Sequence, residues 1–313
     1  MTLERSSINM GPGILTFDSQ VIYSAGDIIA TPTIDTFKIP TSMYGEVDER
    51  LNDIIWEITL TPAGQWSAGH IGVLWPYTNP TIGGSVFGSS DKNVVINSLA
   101  GQQMTFKAGA VTGMPDIILS AGKTPIGQLT MQCIGADNTA WSDSAKRAAV
   151  AAVAFSDTSF DPSDIKTVPI SAAWGGASPW DDISTQDGWV VSFDLALTDI
   201  RTDTDGIVDR RIANVGVMAK CIPVGISETQ LLSLLKIQDT GIARGVSLSG
   251  NANDLVLDGG SGNPKVTINQ ASPKEGPFSW GQESNRTGEI GFVATQEFST
   301  GARQALFAVE VGS

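Results

Sequence analysis

Apolar and polar residues alternate along several stretches of the chain, a pattern typical of strands that bury one face. Four such stretches stand out, and their apolar positions are Ile54, Trp56, Ile58 and Leu60; Leu129, Met131 and Cys133; Trp189, Val191, Phe193, Leu195 and Leu197; and Val215, Val217, Ala219 and Cys221. Each stretch is predicted to be a strand of a half-buried sheet. The chain is therefore predicted to be mainly β.

A short helix is predicted at ISETQLLSLLK, residues 226–236. Ser227 lies three residues before Gln230, the spacing of a capping box, and the leucines that follow lie on one stripe. SAGHIGVLW, residues 67–75, is predicted to be the matching helix of the first half, with His70 on its stripe.

The alanine-rich segment at residues 141–155 gives conflicting signals, because its composition favours a helix. Its place in the repeat described below corresponds to ALFAVEV near the C-terminus, which is typical of a strand. We favour a strand end for this segment.

The chain contains an internal repeat. YGEVDERLNDIIWEITLTPAG at residues 44–64 aligns without a gap with DGIVDRRIANVGVMAKCIPVG at residues 205–225. Identical residues 161 positions apart are Gly45 and Gly206, Val47 and Val208, Asp48 and Asp209, Arg50 and Arg211, Pro62 and Pro223, and Gly64 and Gly225. A solenoid unit is only ~20 to 50 residues long, so this offset indicates two complete domains.

The repeat predicts two tandem homologous domains, residues 1–160 and 161–313. Each is expected to be a β-sandwich or barrel with one short flanking helix. The turn-rich stretch at residues 157–169 is the expected junction.

Charge and hydropathy exclude several classes of protein. The chain has 19 Lys plus Arg against 33 Asp plus Glu, a net charge of -14, and lacks a basic cluster that could neutralise a row of phosphates. Tight nucleic-acid binding is therefore not expected. The longest apolar run is the eight residues 148–155, and the first 30 residues lack the pattern of a secretory signal, so no membrane span or signal peptide is predicted.

Candidate chemistry is sparse. Cys133 and Cys221 lie in alternating apolar segments and are predicted to be core residues, and His70, the single histidine, is predicted to be structural. An aspartic-protease-like Asp-Thr-Gly at residues 239–241 has no partner motif in the first half. We predict no catalytic residue, no metal site and no cofactor, and an enzyme is the least favoured class.

The motif G-x-V-D-x-R is kept in both halves and has two interpretations. Asp48 with Arg50, and Asp209 with Arg211, are either surface pairs beside a turn, worth about 0 to 1 kcal/mol each, or contacts between domains or subunits. The sequence leaves both open.

The segment SPWDDISTQDGWVVSFDLALTDIRTDTDGIVDRRIANVGVMAKCIPVGIS, residues 178–227, followed by a short leucine helix, resembles the major tail tube proteins of long-tailed bacteriophages. The resemblance implies a β-sandwich or barrel that joins its neighbours in stacked rings. Its expected role is that of a structural virion protein of the tail, assembled in the host bacterial cytoplasm with other tail proteins. Genomic DNA would pass through an acidic lumen that does not bind it specifically.

Two polar segments, residues 33–49 and 199–209, are predicted to be too long and too polar for tight hairpins, and to become ordered against neighbouring subunits. They supply the candidate loop residues for contacts between rings or for the lumen, namely Asp35, Lys38, Glu46, Asp199, Asp203 and Asp205.

The duplication also predicts the stoichiometry of the ring. If relatives with one such domain form sixfold rings, three chains with two domains each would close a trimer with pseudo-sixfold symmetry. The alternative function is a tandem-domain virion decoration or adhesin-like binding protein.

Overall fold

The computed structural model describes residues 13–87, 92–123, 125–135, 148–155, 165–166, 170–175, 182–202, 206–225, 253–275, 288–295, 298–299 and 302–313. The part up to residue 155 is called the first half and the part from residue 165 the second half. Elements of the first half are β1 (Gly13–Phe17), β2 (Gln20–Tyr23), β3 (Ile29–Thr41), β4 (Gly45–Leu60), α1 (Ala68–Leu74), β5 (Val94–Ser98), β6 (Gln102–Phe106), β7 (Gly109–Gly113), β8 (Ile117–Leu119), β9 (Leu129–Cys133) and β10 (Ala149–Ala152). Those of the second half are β11 (Ser171–Trp174), β12 (Thr185–Thr202), β13 (Gly206–Pro223), β14 (Asn253–Asp258), β15 (Pro264–Glu275), β16 (Ile290–Ala294), β17 (Phe298–Ser299), β18 (Ala302–Arg303) and β19 (Phe307–Val311).

The fold is mainly β, as predicted. In the first half, a five-stranded sheet in the order β10-β6-β5-β1-β2 and a four-stranded sheet in the order β3-β4-β9-β7 share one core. In the second half, an eight-stranded sheet runs β11-β14-β15-β16-β13-β12-β8, with β19 also paired to β15. β15 continues through a left-handed residue, Gln270 (φ 49°), whereas the first half has two strands, β6 and β7, on either side of the similarly left-handed Ala108 (φ 52°).

The alternating apolar positions face the core as predicted, except Ile54, which is only partly buried and lies in neither core cluster. Ile58, Leu60, Leu129, Met131 and Cys133 are buried in the first half, and the second half buries Trp189, Val191, Val215, Val217, Ala219 and Cys221. The core is continuous between the halves. It continues because β8 of the first half pairs with β12 at Trp189–Val191 and so extends the sheet of the second half.

Strand pairing follows the same offset as the sequence. Ile29 pairs with Thr59 in β3–β4, and Val190 pairs with Lys220 in β12–β13. The register shifts also correspond, between residues 35 and 36 and residues 39 and 40 in one hairpin, and between residues 196 and 197 and residues 200 and 201 in the other. A bulge inserts one residue and reverses the faces beyond it, so matching bulges place equivalent side chains on equivalent faces.

The first-half helix forms where it was predicted. Ser67 caps α1 by accepting a hydrogen bond from the amide of His70, and the ring of His70 bridges two groups. Its Nε2 donates to the carbonyl of Val21 at 3.0 Å, and its Nδ1 lies 2.7 Å from the hydroxyl of Ser67. The histidine therefore ties α1 to β2. The second-half helix predicted at residues 226–236 lies outside the described residues.

The expectation for the alanine-rich segment is confirmed at β10. Residues 149–152 form an exposed edge strand that pairs with β6. Residues 141–147 lie outside the described part of the chain.

One sequence expectation is wrong. Residues 33–49, and residues 199–202 and 206–209, are not loops: they form the outer parts of two long hairpins, β3–β4 and β12–β13. A hairpin satisfies its backbone groups by pairing with its own return strand and needs no apolar face. In the first hairpin the turn is also short, with residues 42–44 followed by Gly45 at φ 72°. Asp35, Lys38, Glu46 and Asp199 accordingly lie on strands, while Asp203 and Asp205 lie outside the described residues.

Among the described residues, no helix combines the length and hydropathy needed to span a bilayer.

Candidate assembly interface

Two hairpin ends extend from the sheets and are built alike. The first arm comprises residues 33–54 of β3 and β4, and the second arm comprises residues 194–215 of β12 and β13, which are the same positions 161 residues later. Both arms begin their return strand at a glycine with positive φ, Gly45 at 72° and Gly206 at 68°. Only glycine adopts this conformation without strain, which explains why the motif keeps it.

The Asp and Arg of the repeated motif form an ion pair within each arm. Arg50 Nε lies 3.0 Å from Asp48 Oδ2, and Arg211 Nε lies 2.8 Å from Asp209 Oδ2. The hydrogen bond from Arg50 holds the pKa of Asp48 below its ordinary value. The first pair is exposed to solvent, so it contributes little to the fold by itself.

The second pair also contacts the first half. Ser85 Oγ donates to Asp209 Oδ1 at 2.6 Å, and Arg211 Nη1 donates to the carbonyl of Gly83 at 2.9 Å. The backbone around Ser85 pairs with β13 through an isolated bridge to Arg211. In the second arm, the repeated pair therefore lies at a contact between the two halves.

A buried carboxylate fixes the end of the second arm. Asp53, only 2% exposed, accepts hydrogen bonds from the amide of Ile207 at 2.8 Å and from the amide of Ile54 at 2.8 Å. A side chain at Gly206 would collide with this carboxylate. By the offset of 161, Asp53 aligns with Asn214. The sequence signal at this position is an acidic residue where an apolar strand begins, which indicates Asp53 but not its partner, Ile207.

An apolar cluster in the first half receives the side chain of Ile207. Its other buried members are Phe87, Ala108, Ala110 and Ile134. Arg210, next to the repeated pair, forms an ion pair with Asp199 at 2.8 Å and donates a hydrogen bond to the side chain of Gln132. Hydrogen bonds, an ion pair and apolar burial thus hold the second arm on the first half.

Residues 33–51 of the first arm have no such cover within the described part of the chain. Leu51 is 40% exposed, whereas Ile212, its equivalent, is 4% exposed. Further exposed apolar residues of this arm and its turn are Ile34, Phe37, Met43, Tyr44 and Val47. Apolar side chains exposed together in this way are typical of surfaces that contact another protein, a membrane or a ligand.

Polar candidates from the sequence pair with one another along the first arm. Lys38 Nζ lies 2.8 Å from Glu46 Oε2, and Asn52 Nδ2 donates to Asp35 Oδ2 at 2.7 Å. Lys38 and Glu46 are exposed and remain accessible to a partner.

No family model and no curated protein matches this chain. What the chain does must therefore be argued from the geometry of the arms.

Other reactive groups are buried, or are not gathered into a site. Both cysteines are free and buried, and burial raises the pKa of Cys133 to about 12 and raises that of Cys221 as well. Thiols of this kind are poor nucleophiles at neutral pH. Within the described residues, no group of three or more His, Cys, Asp or Glu side chains could hold a metal ion.

Proposed function

We propose that this chain is a structural virion protein that assembles into stacked rings and forms the tail tube of a long-tailed bacteriophage. Each half would be one tail-tube-like domain, residues 1–160 and 161–313, and three chains would make one ring with pseudo-sixfold symmetry. The tube would conduct the genomic DNA into the host.

The observation that carries this proposal is the covered second arm beside the exposed first arm. The two hairpins have the same register and bulges, but their return strands differ in exposure. Residues 206–212 of the second arm lie on the first half, whereas residues 45–51 of the first arm are exposed. The contact between an arm and the other half forms once within the chain, and the equivalent surfaces remain exposed. Such an arrangement favours closed assembly of identical copies.

Net charge agrees with a conduit for DNA. At -14 per chain, the surface repels a phosphate backbone, whereas a basic channel would retain DNA in a salt-dependent way. The proposed role requires no catalytic group.

Electron microscopy of the purified chain tests the function. The expected result is hollow tubes of uniform diameter. A chain that stays monomeric at high concentration and binds a surface glycan would instead support the decoration or adhesin function.

A further inference from the structure

We infer that the first arm binds the second half of another copy of this chain, in the way that the second arm binds the first half of its own. The inference rests on the proposed ring assembly and identifies the surfaces that join one chain to the next. Four differences between equivalent positions support it.

The first difference is the space around the turn glycines. A β-carbon added at Gly206 would lie 3.0 Å from Cβ of Asp53, so the turn is closely packed on the first half. A β-carbon added at Gly45 would have nothing within 4 Å. The turn at Gly206 therefore has a packing partner, whereas the turn at Gly45, which has the same conformation, has none among the described residues.

The second difference is at the position that receives the turn. Asp53 is buried beneath residues 206 and 207, whereas Asn214, its equivalent in the second half, is exposed. Asn214 keeps a side-chain oxygen that can accept a backbone N–H. If the contact is repeated between chains, Asn214 of one copy accepts from the amide of Glu46 of another.

The third difference is a matched exchange of apolar for polar residues. On the arms, Ile207 is replaced by Glu46 at the equivalent position of the first arm. On the receiving surface, Ile134 is replaced by Thr295, 161 residues later. Both sides of the same contact therefore change from apolar to polar together.

Strand pairing extends this receiving surface to Ser272. Ala110 pairs with Gln132 and Ser272 pairs with Val293, and residues 132 and 293 are 161 apart, so Ser272 is the equivalent of Ala110. Its hydroxyl is buried, and it has no hydrogen-bond partner in the part of the chain that the structure describes. An unsatisfied buried hydroxyl is unfavourable, and the carboxylate of Glu46 from another copy would accept its hydrogen bond.

The fourth difference is at the sheet edges. Trp189–Val191 of β12 is covered by β8 from the first half, whereas β3 pairs only with β4 among the described residues. Residues 28–30, the equivalents of 189–191, line an open groove of about 800 Å³. An uncovered edge with a groove beside it can pair with a strand from a second copy.

These contacts are heterologous, since a first-half surface of one copy meets a second-half surface of the next. Such contacts close into rings when the rotation between neighbours divides a full turn. When the contact between chains repeats the contact within a chain, the rotation from one half to the next is the same throughout the ring. Three chains then provide six equivalent positions in the ring.

Cysteine cross-linking tests this interface directly. The variant carries Gly45→Cys and Asn214→Cys, whose equivalents, positions 206 and 53, approach within reach of a disulfide. Cys133 and Cys221 are buried with raised pKa values, so they do not compete. Gly45→Cys with Ser261→Cys serves as the control, because Ser261 is exposed in the turn between β14 and β15, away from the receiving surface.

After mild oxidation we expect covalent multimers that end at three chains, on the order of tenfold more abundant than in the control, because assembly holds the thiols at a high effective concentration. The reduced variant is examined by electron microscopy to verify that it still assembles. If it does not, Asn214→Cys alone, joined to the amine of Lys38 with a short heterobifunctional reagent, gives the same readout.

Each outcome separates the interface from the function. Hollow tubes with cross-linked chains support both, and tubes whose chains do not cross-link at this pair overturn the interface alone. Cross-linked rings that never stack into tubes support the interface and overturn the tail tube. Uncross-linked monomers overturn both.

Discussion

Asp53 and Asn214 occupy the same position in the two hairpins but have different surroundings. Asp53 is buried and holds the amide of Ile207, whereas Asn214 is exposed. The burial of Asp53 and the exposure of Asn214 thus show which of the two contacts forms within the chain.

Replacing Asp53 by Ala should lower the free energy of unfolding by about 1 to 3 kcal/mol, because the amide of Ile207 would be left buried without an acceptor. Asn214→Ala is the matched control and should change it by less than about 0.5 kcal/mol. Urea unfolding of the monomer measures both. Equal effects of the two substitutions would show that Asp53 does not fix the second arm.

Arg50→Ala should impair ring formation and change the unfolding midpoint of the monomer little, since its ion pair with Asp48 is exposed to solvent. Arg211→Ala should instead lower the unfolding midpoint, because Arg211 also donates a hydrogen bond to the carbonyl of Gly83 within the chain. Light scattering follows assembly, and thermal unfolding follows stability. Normal assembly of Arg50→Ala together with a large loss of monomer stability would show that its pair only supports the local turn.

The Arg50 effect should not depend on pH between pH 5 and pH 8. Hydrogen bonding to Arg50 lowers the pKa of Asp48 below 3.8, so the pair is ionised throughout this window and is lost only as the pH falls through that lowered value. Assembly of the wild type and Arg50→Ala at several pH values measures it. A difference that disappears near pH 6 would contradict the assigned pair.

At the scale of elements, the sequence predicted the strands that bury one face and expose the other. Strands such as β9 and β13 alternate cleanly because one face packs on the core. The first arm lacks this alternation, because a two-stranded ribbon exposed on both faces places no apolar constraint on its residues. The contact made by Asp53 could not be predicted, because it depends on a residue 154 positions away.

Ile212 and Leu51 provide a matched pair for the arms. Ile212→Lys should destabilise the chain by about 2 to 4 kcal/mol, because it buries an unpaired charge beneath residues 83–86. Leu51→Lys should change the monomer by less than about 1 kcal/mol and should prevent assembly. Urea unfolding and light scattering distinguish the two effects. Normal assembly of Leu51→Lys would argue against the first arm as a contact surface.

Hydrogen exchange should also distinguish the arms. Amides of residues 33–49 should exchange quickly in the free chain and become protected in the assembled protein, because the first arm gains a partner. The amides of Gly83, Val86 and Ile212 should be protected already in the free chain, because they form the hydrogen bonds between residues 83–86 and residues 210–212. Equal protection of residues 33–49 in monomer and assembly would contradict this.

At the scale of the whole molecule, the hairpins β3–β4 and β12–β13 differ in their contacts more than in their pairing. The same registers and bulges recur, while exposed apolar residues are concentrated on the first arm and β3, whose outer edge is unpaired among the described residues. In the proposed assembly, such a chain would present one surface to its own second half and an equivalent surface to another copy.

Reconstruction of the assembled protein by electron cryomicroscopy tests the central claim most directly. The account predicts a hollow tube of stacked rings, each with three chains, threefold symmetry and six similar domains, and with the first arm of each chain on the second half of its neighbour. Six complete chains in each ring, or a protein that remains monomeric at every concentration examined, would contradict it.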